Sequence, residues 1–149
     1  MKDELERIEH NGDLLAIIVS ANFNRTGVNF FTPRELSQQL AFMRHGPGKV
    51  IDAHVHNPVP RKVQYTQEVL IIRHGKLRVD FYDRFQNYLE SRILGGGDVI
   101  MLVSGGHGFE VLEETAMFEV KQGPYEEDRD KTRFCGIASE RAVIKGRSQ

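Results

Sequence analysis

The stretch Gly48-Lys-Val-Ile-Asp-Ala-His54-Val-His56-Asn-Pro-Val-Pro-Arg-Lys-Val-Gln-Tyr-Thr-Gln-Glu68-Val-Leu-Ile-Ile-Arg-His-Gly75 holds most of the chemically informative residues of this chain. Side chains alternate between two faces along a β-strand, so the two histidines are predicted to share one face. A glutamate follows twelve residues after the second histidine and opens an apolar run. The stretch predicts β-strands that present imidazole and carboxylate groups on one surface.

Short apolar runs of strand length recur on both sides of this stretch and are separated by turn signals rich in glycine, proline and asparagine. A hairpin is predicted at His74-Gly75, and a polar loop at 113–115. Regularly spaced strands with almost no helical periodicity indicate an all-β protein, an antiparallel sandwich or jelly-roll barrel. The predicted strands are 14–19, 28–31, 38–44, the strand of His54 and His56, 68–72, 76–83, 88–94, 99–103, 109–112 and 117–121.

Three segments are predicted to lie outside the barrel strands. Residues 2–10 are mostly charged and are expected to form a helical turn or two, or a frayed end. The loop 57–64 contains two prolines and is expected to act as a lid or specificity element. The C-terminal 25 residues are expected to form an arm over the barrel or to contribute to a dimer.

Composition narrows the class of protein. A chain of 149 residues with 40% hydrophobic residues is expected to form a single domain over 1–149. A net charge of −1 favours neither nucleic acid nor an anionic membrane as partner and points to a small molecule or a protein. One cysteine and no long apolar run predict a cytoplasmic protein. An edge strand and an apolar outer face predict a homodimer.

The spacing of Gly48, His54, His56, Glu68 and Gly75 resembles the first motif of the cupin superfamily, whose fold is a jelly roll, also called a double-stranded β-helix. The resemblance implies that the two histidines and the glutamate are metal ligands. Eleven residues separate the second histidine from the glutamate here, where the family has three or four. The insertion lengthens a loop and leaves the strand positions intact.

The segment from Gly97 to His107 resembles the second motif of the same family. The glycines at 97 and 105 match, whereas Val103 stands where the family has proline and the histidine falls one position early. A shift of one residue turns a strand side chain to the other face. His107 is therefore expected to be the fourth ligand if the turn at Gly105-Gly106 absorbs the shift, and otherwise to have a structural or supporting role.

Imidazoles and a carboxylate form a ligand set that suits one divalent transition metal: iron, manganese, nickel, zinc or cobalt. Open coordination positions would let such an ion polarise a substrate oxygen or activate a water molecule.

Further polar residues are candidates for contacts with a substrate. Arg61 and Lys62 of the long loop suit a phosphate or carboxylate group. Alternation puts Arg78 and Tyr82 on one face of their strand with Asp80, and Leu77, Val79 and Phe81 on the other face, and only one set can line the cavity. Glu119 and Lys121 form a candidate acid–base couple if they point inward. The alternative has Phe118 and Val120 packed inside.

The segment 118–125 resembles the end of cupins of sugar and polysaccharide biosynthesis, such as the type II mannose-6-phosphate isomerase and nucleotide-sugar isomerase groups. The resemblance implies a metal-dependent isomerase or epimerase that acts on a sugar or sugar nucleotide. An Fe(II)-dependent dioxygenase and a non-catalytic sensor of a small ligand are the alternatives, since one fold hosts many functions.

Overall fold

A computed structural model describes residues 4–127 and 129–146 of the chain. The described residues are almost entirely strand and loop, which confirms the all-β prediction. One 3-10 turn, Ser139–Arg141, is the helical element in this part of the chain. The strands are β1 Leu5–His10, β2 Asp13–Val19, β3 Gly27–Phe30, β4 Ala41–Arg44, β5 Glu68–Tyr82, β6 Tyr88–Gly95, β7 Val99–Leu102 and β8 Gly106–Lys121.

The chain divides into two compact units. The first unit comprises residues 1–23 and 66–149, as far as they are described, and the second comprises residues 24–65. The first unit contains a six-stranded sheet in the order β1-β2-β7-β5-β6, with β8 paired to β5. All these pairings are antiparallel. The prediction of a single domain stays a prediction.

The sheet of the first unit is strongly curled into a half-barrel. β5 and β8 pair along nearly their whole length, with register shifts between Ile72 and Leu77. Irregularities of this kind bend a strand and increase its twist. The first part of β5 therefore pairs with β7 and the second part with β6.

Gly75 lies at the centre of this bend. Its φ of +101° is in the left-handed region, and a Cβ there would lie 2.3 Å from the carbonyl oxygen of Glu114. Only glycine combines this backbone conformation with so close an approach of two strands.

The hydrophobic core lines the inner face of the curled sheet. Leu77, Val79 and Phe81 of β5 are fully buried there, together with Leu70 and Ile72 from the first half of the strand. The alternation predicted for this strand is confirmed. Of the two predicted faces, the one with Leu77, Val79 and Phe81 points into the core.

The opposite face of β5 and β6 is covered by the C-terminal segment. The N–H of Ser91 donates to the carbonyl of Val143, and the N–H of Lys145 donates to the carbonyl of Ser91, both at 2.9 Å. The ring of Phe134 packs edge-on against Tyr82, with the ring centroids 4.9 Å apart. The prediction that the C-terminal residues cover the sheet is confirmed for 134–146, while residues 128 and 147–149 lie outside the described residues.

Several local predictions were wrong. Residues 5–10 form strand β1 instead of a helical turn, and residues 2 and 3 lie outside the described part. β1 pairs with β2, and this pairing overrides the weak helical signal of a charged segment. The expected hairpin at His74-Gly75 is a bend within one continuous strand. The expected loop at 113–115 lies inside β8, because both segments bend together.

The second unit contains the antiparallel pair β3 and β4. The loop that joins them is held by Gln39, whose amide donates to the carbonyls of Pro33 and Leu36. Residues 45–66 contain no strand or helix, so the predicted strand of His54 and His56 is wrong.

We expect Gly75→Ala to destabilise the protein by about 3 kcal/mol, because the new methyl group meets the β8 backbone and the left-handed φ is strained. Gly12→Ala is the matched control: its φ is +85°, and nothing lies within 4 Å of the added Cβ. The control isolates the conformational cost, about 1 kcal/mol. Urea unfolding of both variants measures the difference, and equal losses would contradict the close approach at the bend.

Candidate functional site

Two predicted site residues, Glu68 of the first motif and His107 of the second, lie close together in the first unit. Glu68 is the first residue of β5, and His107 is the second residue of β8. His107 lies opposite Phe81 in the register, thirteen residues along β5 from Glu68. The curl of the two strands nevertheless brings His107 Nε2 to 3.3 Å from Glu68 Oε2.

Glu119 and Lys121 lie beside this pair. In the register Lys121 is opposite Glu68, and Glu119 is opposite the core residue Leu70. Lys121 Nζ is 3.5 Å from a carboxylate oxygen of Glu119 and 4.0 Å from one of Glu68. Directly opposed residues of a β-ladder point to the same face, so both side chains are on the inner face, which is the first of the two arrangements that the sequence left open.

The alternative arrangement, with Phe118 and Val120 packed inside, is wrong. Both side chains are exposed, and they alternate with the inward-facing residues of β8. The inner face at this end of the half-barrel thus carries four ionisable groups, Glu68, His107, Glu119 and Lys121.

The Glu68 carboxyl is held in its ionised form. The hydrogen bond with His107 lowers its pKa most strongly, and electrostatic interactions with His107, Lys121 and Lys131 lower it further. Burial acts in the opposite direction but does not prevail. A buried carboxylate that stays ionised beside an imidazole is a group that can bind a cation.

Glu68 and His107 have the separation that two ligands of one ion require. Donor atoms bound at about 2.1 Å to the same ion are roughly 3.0 to 3.4 Å apart for octahedral or tetrahedral angles. The observed 3.3 Å lies within that range. The separation of these two residues, one on β5 and one on β8, therefore fits a pair of ligands to a transition metal.

The other predicted ligands, His54 and His56, belong to the second unit. Their rings lie edge to face, with centroids 5.2 Å apart, and both residues are exposed. His54 Nδ1 lies 2.8 Å from the carbonyl oxygen of Asp52. A hydrogen-bonded Nδ1 leaves Nε2 available to a metal, an arrangement common among ligating histidines.

Within residues 4–127 and 129–146, no three or more His, Cys, Asp or Glu side chains are grouped so as to hold a metal ion. The structure brings Glu68 together with His107, and His54 together with His56. That all four bind one ion stays a prediction.

The predicted substrate residues have two different environments. Arg61 and Lys62 are exposed, and the guanidinium of Arg61 donates only a weak bond, 3.4 Å long, to the carbonyl of Val59. Arg78 and Tyr82 are buried on the face of β5 that carries the C-terminal segment. The phenol oxygen of Tyr82 accepts a 2.8 Å hydrogen bond from the N–H of Ile137.

Arg78 belongs to a buried polar cluster. Its Nε and Nη2 donate to the two carboxylate oxygens of Asp80 at 2.8 and 3.0 Å, and Nη1 contacts Glu110. The hydroxyl of Ser91 donates to Asp80 as well. Fork-shaped pairing of this kind locks a guanidinium in place. Arg78 therefore holds two strands and the C-terminal segment together, since Glu110 also accepts a hydrogen bond from Ser139.

Ser91 and Tyr88 were not identified from the sequence as hydrogen-bonding members of this cluster. The phenol of Tyr88 lies 2.8 Å from the Ser91 hydroxyl and accepts a hydrogen bond from the N–H of Val143. A serine and a tyrosine three residues apart are common in any half-exposed strand. No signal in the sequence distinguishes this pair.

Comparison with known protein families, with curated proteins and with solved structures yields no match to this chain. Among the described residues, no helix has the length and apolarity needed to cross a membrane.

The lowered pKa of Glu68 predicts an acid-sensitive contribution to stability. A carboxyl whose pKa falls on folding stabilises the protein above its unfolded pKa of about 4.3, and this contribution disappears as the pH falls through the folded pKa. We expect Glu68→Gln to flatten the dependence of unfolding free energy on pH below about pH 4.3. His107→Phe should flatten it in part, because it removes the hydrogen bond. Denaturant unfolding between pH 7 and 3 tests this, and an unchanged slope in Glu68→Gln would contradict it.

Tyr82→Phe is expected to cost about 1 kcal/mol, because the N–H of Ile137 loses its acceptor. The C-terminal segment should also become more accessible to protease. Tyr125→Phe is the control, since the Tyr125 side chain is exposed. Urea unfolding and limited proteolysis measure the two effects, and equal behaviour of both variants would show that the phenol does not anchor the segment.

Proposed function

We propose that the half-barrel is a cupin-type jelly roll that holds one divalent transition metal and acts as an isomerase or epimerase on a sugar derivative. The contact between Glu68 and His107 on the inner face is the observation that carries this proposal. The proposed ion is iron, manganese, nickel, zinc or cobalt.

Glu68 and His107 would supply two ligands from the half-barrel. His54 and His56 are the further ligands that the sequence motif predicts. A bound ion of this kind would hold two adjacent oxygens of the substrate and polarise the substrate carbonyl.

Lys121 links the ligand pair to the acid–base pair. Its ammonium lies between the carboxylates of Glu68 and Glu119. A cation on Glu68 would repel the ammonium, and Lys121 would then pair with Glu119 alone. Metal binding and the charge state of the acid–base pair are therefore expected to be coupled.

Glu119 is the proposed base, and Lys121 the group that positions it and returns the proton. The Glu119 side chain is 45% exposed, so a substrate on the inner face can reach it. Isomerisation and epimerisation need a proton removed from a carbon next to a carbonyl and delivered again. A carboxylate beside an ammonium on one strand face can perform both movements without a rearrangement of the fold.

Arg61 and Lys62 are the proposed contacts for a phosphate or carboxylate of the substrate. Both are exposed and have freedom to reach an anion. Arg78 and Tyr82 are less suited to this role than the sequence predicted, because their polar atoms are engaged with Asp80, Glu110 and Ile137.

Metal binding is tested by calorimetric titration of the chain with Ni(II), Zn(II) and Mn(II). We expect Glu68→Gln and His107→Gln each to weaken binding by at least about tenfold, since each removes one ligand. His74→Gln is the control, because this histidine is exposed and is not one of the proposed ligands. Wild-type affinity in both ligand variants would contradict the site.

The reaction class is tested by exchange of solvent deuterium into sugar phosphates incubated with the metal-loaded protein. Deuterium at the carbon next to the carbonyl is the expected result, and Glu119→Gln should abolish it while metal still binds. Oxygen uptake by the Fe(II) form, without exchange, would instead indicate a dioxygenase.

A further inference from the structure

Residues 45–66, which we call the arm, form an unusual segment for a folded chain. Every residue from 43 to 66 is exposed, and the arm contains no strand or helix. His54 and Arg61 make local side-chain contacts, with the carbonyls of Asp52 and Val59, while the hydroxyl of the last arm residue, Thr66, donates to Asp130. A run of this length usually contains few apolar side chains, because nothing covers them.

The arm nevertheless has the apolar pattern of a half-buried strand. Its large apolar residues at odd positions are between 49% and 85% exposed. If the arm became a strand, these five would lie on one face, and His54 and His56 would lie on the other together with one large apolar residue, Val50. The odd-numbered residues are Ile51, Val55, Val59, Val63 and Tyr65.

The two prolines of the arm agree with an edge position. In a strand, N–H groups point alternately to the two sides, and Pro58 and Pro60 share one side. Both missing N–H groups can therefore face solvent while Asn57, Val59 and Arg61 donate to a neighbouring strand. An arm of 22 residues can extend to roughly 70 Å, which exceeds the roughly 53 Å of a 16-residue strand.

β8 offers the matching edge. Throughout the described residues it pairs with β5 along one side, and its other side has no partner strand. Its outer face has exposed apolar side chains at Leu112, Phe118 and Val120. A long unpaired edge flanked by apolar side chains is a template for the addition of another strand.

The charges of the arm and of β8 are complementary. β8 contains four glutamates and one lysine, whereas the arm contains three basic residues and one acidic residue. Opposite charges favour this pairing, and like charges disfavour the pairing of two β8 strands with each other. The basic residues of the arm are Lys49, Arg61 and Lys62, and the glutamates of β8 are Glu110, Glu113, Glu114 and Glu119.

We propose that the arm of one copy adds as an edge strand to β8 of a second copy, in a symmetric exchange between the two chains. The apolar face of the arm then covers the outer face at Leu112, Phe118 and Val120. Strand alternation turns the two arm histidines to the inner face, where Glu68 and His107 lie. In this last respect the inference rests on the proposed metal site, which the partner's arm completes.

Mixing two deficient variants tests whether the ligands come from different copies. One variant carries His54→Ala and His56→Ala, and the other carries Glu68→Gln and His107→Gln. Each alone should bind Ni(II) weakly. In a mixed dimer, one of the two sites has an intact arm and an intact half-barrel. Refolding an equal mixture should restore tight binding to about one quarter of the wild-type sites.

The exchange itself has a readout that does not depend on metal. We expect light scattering to give twice the chain mass of 17.0 kDa for the wild type at micromolar concentration. Val55→Asp combined with Val59→Asp should shift the protein to the monomer. Phe85→Asp is the control, because Phe85 is exposed on a turn outside the arm and β8.

The outcomes separate the two proposals. Mixed dimers detected with differently tagged copies, but without restored Ni(II) binding, would overturn completion by the partner's arm. A monomeric wild type, or a dimer that is insensitive to the two aspartates, would overturn the exchange. Absence of tight Ni(II) binding in the wild-type dimer would instead contradict the proposed metal site and leave the exchange to stand on the light-scattering result.

Discussion

The bend shared by β5 and β8 is the constraint on which the rest of the first unit depends. At Gly75 the two backbones approach so closely that a side chain would strike the carbonyl of Glu114. The bend allows one strand to pair first with β7 and then with β6, which converts a flat sheet into a half-barrel. Without it, Glu68 and His107 would lie at opposite ends of a long ladder.

The curl also separates two kinds of polar chemistry. On the inner face, Glu68, His107, Glu119 and Lys121 form a partly exposed cluster next to the apolar core. On the outer face, Arg78 and its partners are buried beneath the C-terminal segment and satisfy one another. Buried, fully paired charges suit a structural role, whereas partly exposed ionisable groups such as Glu119 suit binding or proton transfer.

Individual residues show where predictions from the sequence succeeded and where they failed. Glu119 and Lys121 were predicted to share one strand face, and they do, because alternation along a strand is set by the backbone alone. Which face points inward was left open by the sequence. The helical turn predicted at 2–10 failed over residues 5–10, because pairing with β2 outweighs a weak local preference. Arg78 and Tyr82 were placed on the correct shared face, but the sequence could not reveal that the C-terminal segment would bury that face.

The sequence by itself determined the all-β class and which residues of β5 and of the end of β8 share a face, since these follow from local periodicity. The tertiary structure decided that Glu68 meets His107 and that β5 bends instead of turning back as a hairpin. These contacts join residues 39 positions apart, and their formation depends on register shifts at one glycine and its neighbours. Local sequence patterns contain no information about such distant packing.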